Sequence, residues 1–161
     1  MLYQIMDYRA LAPRDLAKSR TIKLEGELIG YSIFLLVESG ATHNFIAREL
    51  LSSLNMEVTP TDLFNVGLAN GSKCSSQGIC HVVCVKVGSY TVVVDACLLD
   101  LGGVDIILGR AWLETVGQTT NDWQRKTISF DNHNQTISLQ GYHLHEHPQT
   151  FALQGLLQSL A

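Results

Sequence analysis

Glu38 is the residue of this chain best placed to do chemistry. It ends the apolar run Leu35-Leu36-Val37 and is followed at once by Ser39-Gly40-Ala41-Thr42. A carboxylate delivered by a buried strand into a tight Ser-Gly turn can exchange protons with a bound group. Taken alone, such a triplet is more often an ordinary strand-end turn. A second apolar run, Val104-Asp105-Ile106-Ile107-Leu108, also ends on glycine, at Gly109. Asp105 inside it could be read as a second acid, and Asp95 in a valine run reads as an edge or paired carboxylate. His43 follows the Ser-Gly turn, but no nucleophile is spaced to use it, so it reads as structural. His143, His145 and His147 would share one face of an extended segment, a metal-site pattern. With no fixed scaffold they read as a solvated tail, and neither metal nor cofactor is expected.

Elements must hold these residues. Residues 7–19 read as a short helix broken near Pro13. From Thr21, apolar residues alternate with polar ones and glycines, which predicts strands with turns at Gly26 and Gly30. Residues 32–37 form the buried strand that ends at Glu38. Ile46, Leu50, Leu51 and Leu54 recur at helical spacing, with Asn44 as the cap. Residues 64–68 read as a strand, Asn70-Gly71 as a hairpin turn, and residues 73–87 as the return strand with a bulge at Gly78. On that strand Cys80 and Cys84 would face one side. Further strands are expected over residues 90–99 and 104–108, then a short helix over 110–115. A final hairpin starts at Trp123, Ile128 and Phe130, turns at Asp131-Asn132-His133-Asn134 and returns through Ile137 and Leu139. Residues 151–160 suit a short amphipathic helix. About eight or nine short strands and few helices make a mostly-β domain, a closed or nearly closed barrel.

Composition narrows the function. The chain has 161 residues, 46% hydrophobic and only 16% charged. One folded domain is expected, and the low charge suggests that a partner covers some apolar surface. Net charge is -4 with no basic run, so nucleic acid is not a direct partner. No stretch approaches the roughly 18 apolar residues of a membrane span, so no membrane partner is expected. The N-terminus lacks a signal-type core. Cys74, Cys80, Cys84 and Cys97 form no C-x-x-C pair. Reduced thiols and a cytoplasmic location follow as expectations. The chain divides into residues 1–20 as a linker or short helix, 21–141 as the domain and 142–161 as a polar tail.

The order strand, Glu-Ser-Gly, helix, hairpin, strand, Ile-Ile-Leu-Gly, short helix resembles the retroviral-type (retropepsin-like) aspartic proteases. It is most similar to the protease domains of plant Ty3/Gypsy-type retrotransposon polyproteins. The stretch Leu36-Val37-Glu38-Ser39-Gly40-Ala41-Thr42-His43-Asn44-Phe45-Ile46 resembles their active-site signature, with glutamate in place of aspartate. Gln77-Gly78-Ile79-Cys80 resembles the stretch after their flap. Leu99 to Gly109 with Trp112-Leu113 resembles their second signature, and Trp123 to Phe130 their closing hairpin.

The resemblance implies one monomer forming half of a two-fold homodimer, with one Glu38 from each subunit at the axis. Two carboxylates this close share a proton around a water, and their pKa values split, as aspartic-protease dyads are known to do. Ser39 would bond across the axis. Gly40 would let backbone N–H groups reach the carboxylate, and Ala41 and Thr42 would line the substrate channel. Asn70, Gly71 and Ser72 would form a flap over an extended peptide. Ile107, Leu108 and Gly109 would support the active-site loop from behind, and Asp105 would be structural rather than a second catalytic acid. The implied substrate is an extended peptide or polyprotein.

Glutamate moves the carboxylate by roughly 1.3 Å, and misplacement by ~1 Å costs about a hundredfold in rate. Impaired cleavage is therefore expected. The competing readings are a catalytically dead protease fold kept for dimerisation or peptide binding, and a small β-barrel binding protein with a metal-binding histidine tail.

Overall fold

The computed structural model describes residues 6–7, 21–67 and 73–142. In chain order the strands and helices are β1 (Met6–Asp7), β2 (Thr21–Leu28), β3 (Tyr31–Glu38), β4 (Phe45–Ala47), α1 (Arg48–Leu54), β5 (Thr59–Gly67), β6 (Lys73–Val87) and β7 (Tyr90–Leu99). They continue as β8 (Leu101–Gly102), β9 (Ile106–Leu108), α2 (Arg110–Val116), β10 (Thr119–Asp122), β11 (Thr127–Asn132) and β12 (Gln135–Gln140).

Seven strands form one sheet in the order β2-β3-β9-β4-β7-β6-β5. β2 and β3 make a tight hairpin from Thr21↔Glu38 to Leu28↔Tyr31. Its turn, Ile29-Gly30, takes positive φ at both residues, 50° and 79°, the geometry that matches strand twist. β9 lies parallel to β3 and antiparallel to β4. A pairing of Glu27 with Lys86 brings β2 back to β6 and nearly closes the ring. The fold is thus the expected mostly-β, nearly closed barrel, with β5 as a flange outside the closure. β10, β11 and β12 form a separate three-stranded sheet, and β1 pairs in parallel with β8.

β3 explains its own unbroken apolar run. Residues 33–37 are all buried because the strand is covered on both faces. Ile33, Leu35 and Val37 enter the main core with Leu24, Val85, Leu108 and Trp112. Leu36 faces a second, smaller cluster with Ala41, Phe45, Val66 and Ile107. Trp112 and Tyr90 both pack edge-on against Phe130, which fixes α2 and the last sheet to the barrel.

Several local expectations are corrected. Gly26 is not a turn: it lies mid-strand opposite Ile33, where a Cβ would sit 2.8 Å from both Leu35 and Val85 side chains. The helical pattern from residue 44 begins as strand, because Phe45–Ala47 is held between β7 and β9. Helix α1 starts only at Arg48, and Ala47 at its N-cap makes no side-chain cap bond. The bulge on β6 lies at His81-Val82, not at Gly78. Cys80 pairs with Ala96 and Val83 with Val94, so two residues oppose Asp95 alone. Gly78 instead flanks an irregularity of β5, between Pro60 and Phe64.

The bulge shifts the alternation by one residue. Cys80 is therefore buried and Cys84 exposed, not on one side as expected. The last turn is the two residues His133-Asn134, both at positive φ; Asp131 and Asn132 belong to β11. Asp7 lies in β1 rather than a helix. The rest of that helix, the hairpin tip with Asn70, Gly71 and Ser72, the His143–His147 segment and the C-terminal helix lie outside the described residues.

Candidate active site

β3 carries Glu38 to the edge of the main core, where it is 7% exposed. The chain reverses at once. The Ala41 N–H donates to the Glu38 carbonyl at 3.2 Å, and the Gly40 N–H donates to Glu38 Oε1 at 3.2 Å. Burial pushes the Glu38 carboxyl above its ordinary pKa, and the Gly40 hydrogen bond pulls partly the other way. A carboxyl that keeps its proton more readily can act as a general acid in mildly acid solution.

The loop is mounted from behind. Ile107 and Leu108 are fully buried and pair in parallel with Leu36 and Val37. Gly109 follows, and its N–H donates to Asn44 Oδ1 at 3.0 Å. The Arg110 N–H donates to the Ala41 carbonyl at 2.9 Å. A Cβ on Gly109 would clash with the His43 carbonyl and lie 2.7 Å from that of Ala41. Only glycine allows this approach. Ile107, Leu108 and Gly109 thus pack against the segment that carries Glu38 and the turn after it.

Asn44 is the residue that the sequence reading misplaced. Its Nδ2 donates to the Asp95 carbonyl at 3.2 Å, and its own carbonyl accepts the Cys97 N–H at 2.8 Å. It joins the active-site loop to β7 and to Gly109 rather than capping a helix. Its place just past the Ser-Gly turn was the available signal, but helical periodicity downstream suggested a cap.

The other candidates fall as follows. Ser39 is exposed and borders a surface recess with Ile22, Val37, Leu113, Trp123 and Ile128. Ala41 is buried in the smaller cluster. Thr42 faces Gly67 at the end of β5: the Thr42 N–H donates to the Gly67 carbonyl at 3.2 Å, and the Gly67 N–H donates to Thr42 Oγ1 at 3.0 Å. His43 Nδ1 lies 2.6 Å from the same hydroxyl, and its ring packs between those of Phe45 and Phe64.

Asp105 is buried and accepts the Phe34 N–H at 2.8 Å. Its backbone bonds Phe34 and Ala47, which fits the structural reading. Lys23 stands over the Phe34 ring, 4.2 Å from its centre. Burial lowers the pKa of Lys23, and the nearby Asp105 charge opposes that shift. Asp95 is paired, as expected: it accepts the Val82 N–H of the bulge at 2.9 Å and lies 3.3 Å from His81.

A buried strand-end carboxylate, a Ser-Gly turn and a glycine-ended strand braced behind it make up the candidate site. A family model described as retroviral aspartyl protease matches residues 14–136. The chain belongs to that family. Among solved structures it is similar to the retroviral protease-like domain of Ddi1 from Leishmania major, with a TM-score of 0.58. That match covers 81% of this chain and 100% of the other at 15% identity, a likeness of fold. No curated protein matches the chain. Among the described residues, no helix is long and apolar enough to cross a membrane.

Proposed function

We propose that this chain is a retropepsin-like aspartic endopeptidase domain that works as a homodimer, with Glu38 of each subunit at the catalytic dyad. Its substrate is an extended peptide of a retrotransposon-type polyprotein. The observation that carries the reading is the Glu38 carboxyl, buried at the end of β3 and held by the Gly40 N–H. In the dimer one Glu38 takes a proton from the attacking water while its partner donates one to the peptide carbonyl. Ser39, exposed beside Glu38, links the two loops across the axis. The cytoplasmic setting is part of the proposal, and four free thiols accord with it.

Glutamate also supports the second reading, a module that dimerises or binds peptide without cleaving it. Its longer arm makes the dyad harder to align, so we place native turnover well below that of a Glu38→Asp variant. The deciding experiment is cleavage of a peptide library at mildly acid pH by the native chain, Glu38→Asp and Glu38→Ala, with sedimentation at micromolar concentration. The proposal expects a dimer, weak native cleavage, at least about a tenfold gain in Glu38→Asp, and none in Glu38→Ala. Cleavage by neither the native chain nor Glu38→Asp would favour the binding module. A strict monomer would overturn the dyad.

A further inference from the structure

Thr42 and Gly67 meet across the gap between the active-site loop and the end of β5. They exchange two bonds: Thr42 N–H to the Gly67 carbonyl at 3.2 Å, and Gly67 N–H to Thr42 Oγ1 at 3.0 Å. On its other edge β5 is held by its ladder with β6. Of its nine residues only Val66 is buried, and its pairing with β6 slips between Pro60 and Phe64.

The Thr42 hydroxyl has one hydrogen and two candidate acceptors, His43 Nδ1 at 2.6 Å and the Gly67 carbonyl at 3.4 Å. The shorter contact is the stronger hydrogen bond. With a neutral imidazole protonated on Nε2, the hydrogen goes to His43 Nδ1, and the oxygen lone pairs are left for the Gly67 N–H. The imidazole is itself held between the rings of Phe45 and Phe64, with centroids 6.4 and 6.0 Å away. Phe64 belongs to β5, so one ring touches both sides of the gap.

We propose that Thr42 is a positioning residue that latches the base of the β5–β6 hairpin to the active-site loop, with His43 orienting its hydroxyl. The role deepens the protease reading, since it ties the end of β5 to the loop that follows Glu38, but it is testable without turnover. Gly67 contributes by lacking a side chain: a Cβ there would lie 2.8 Å from Thr42 Cγ2.

The test is amide hydrogen exchange at Gly67 in the full chain, with the β3 amides as a control for global folding. Thr42→Val keeps the shape and removes the acceptor. It should speed Gly67 exchange about fivefold or more, the scale of one lost hydrogen bond. Thr42→Ser keeps the oxygen and should stay within about twofold of the native chain. His43→Phe keeps a ring between Phe45 and Phe64 but loses Nδ1, and should give a smaller increase than Thr42→Val.

Gly67→Ala should also speed exchange, by crowding the Thr42 methyl. Thr42→Ser in that background should slow it again, because the methyl is gone. Native-like exchange in Thr42→Val, or Thr42→Ser behaving as Thr42→Val, overturns the latch. If Thr42→Val unfolds the β3 amides too, the Gly67→Ala and Thr42→Ser pair decides by whether the serine restores protection. Loss of peptidase activity with an intact latch would count against the protease reading alone.

Discussion

The two sides of Glu38 are built differently. Behind it, β9 is buried, Gly109 touches backbone, and Asn44 ties together three segments that are distant in sequence. In front, β5 is mostly exposed, hangs on β6 by an irregular ladder, and meets the loop through Thr42 and Gly67. The rear has no room to yield, since a shift there would break buried hydrogen bonds and open packed core. The front is held by fewer buried groups and can part at lower cost. The barrel thus fixes the carboxylate more firmly than it fixes β5.

Substitutions with the same chemistry should therefore have unequal effects on the two sides. Gly109→Ala should be the most damaging. Its methyl meets carbonyl oxygens of the loop, which cannot swing away as a side chain can, so a loss of about 3 kcal/mol or failure to fold is expected. Urea denaturation measures it, and a cost no greater than that of Gly67→Ala would erase the contrast. Asn44→Ala comes next, at about 2 kcal/mol, since it leaves the Gly109 N–H and the Asp95 carbonyl each short of a bond. A change near zero would mean that Asn44 is a bystander.

Glu38→Gln sharpens the comparison through pH. Burial raises the folded carboxyl above its ordinary value of 4.5. The native fold then holds a proton that the unfolded chain has released. Stability from this group is fully present below the unfolded pKa and is lost as pH rises through the raised folded value. Glutamine does not titrate, so the native chain should lose stability relative to Glu38→Gln from about pH 4.5 upward. Parallel stability profiles would refute this.

Asp95→Asn, on the exposed side of the β6 bulge, should be the smallest effect, under about 0.5 kcal/mol, because asparagine can still accept the Val82 N–H. A loss comparable to that of Asn44→Ala would show that the bulge is as rigid as the rear mount.

Much of this was legible from the residues themselves. The buried run ending at Glu38 and the hairpin at Gly30 depend on local pattern, and the packing role of Gly109 follows from the family resemblance. The misreadings share a cause: each needed a partner distant in the chain. Asn44 looked like a cap because its acceptor role toward Gly109 spans 65 positions. Phe45–Ala47 followed helical spacing, yet became a strand because β7 and β9 flank it. Glycine suits a bulge, but on β6 it is Val82 that carries the positive φ, 55°, stabilised by the Asp95 side chain across the ladder. Thr42 was visible only as part of a loop, since nothing in its neighbourhood names Gly67.

The displaced alternation after the bulge has a practical corollary. It turns Cys84 outward, while Cys74, Cys80 and Cys97 stay inside. Burial raises the pKa of all three interior thiols, that of Cys97 to about 11, so their reactive thiolate forms are suppressed. The native chain therefore offers one thiol to a maleimide reagent without any engineering. A nitroxide placed there would act as a spectroscopic ruler. Two copies related by a two-fold axis would give a single sharp spin–spin distance, and an isolated copy would give none.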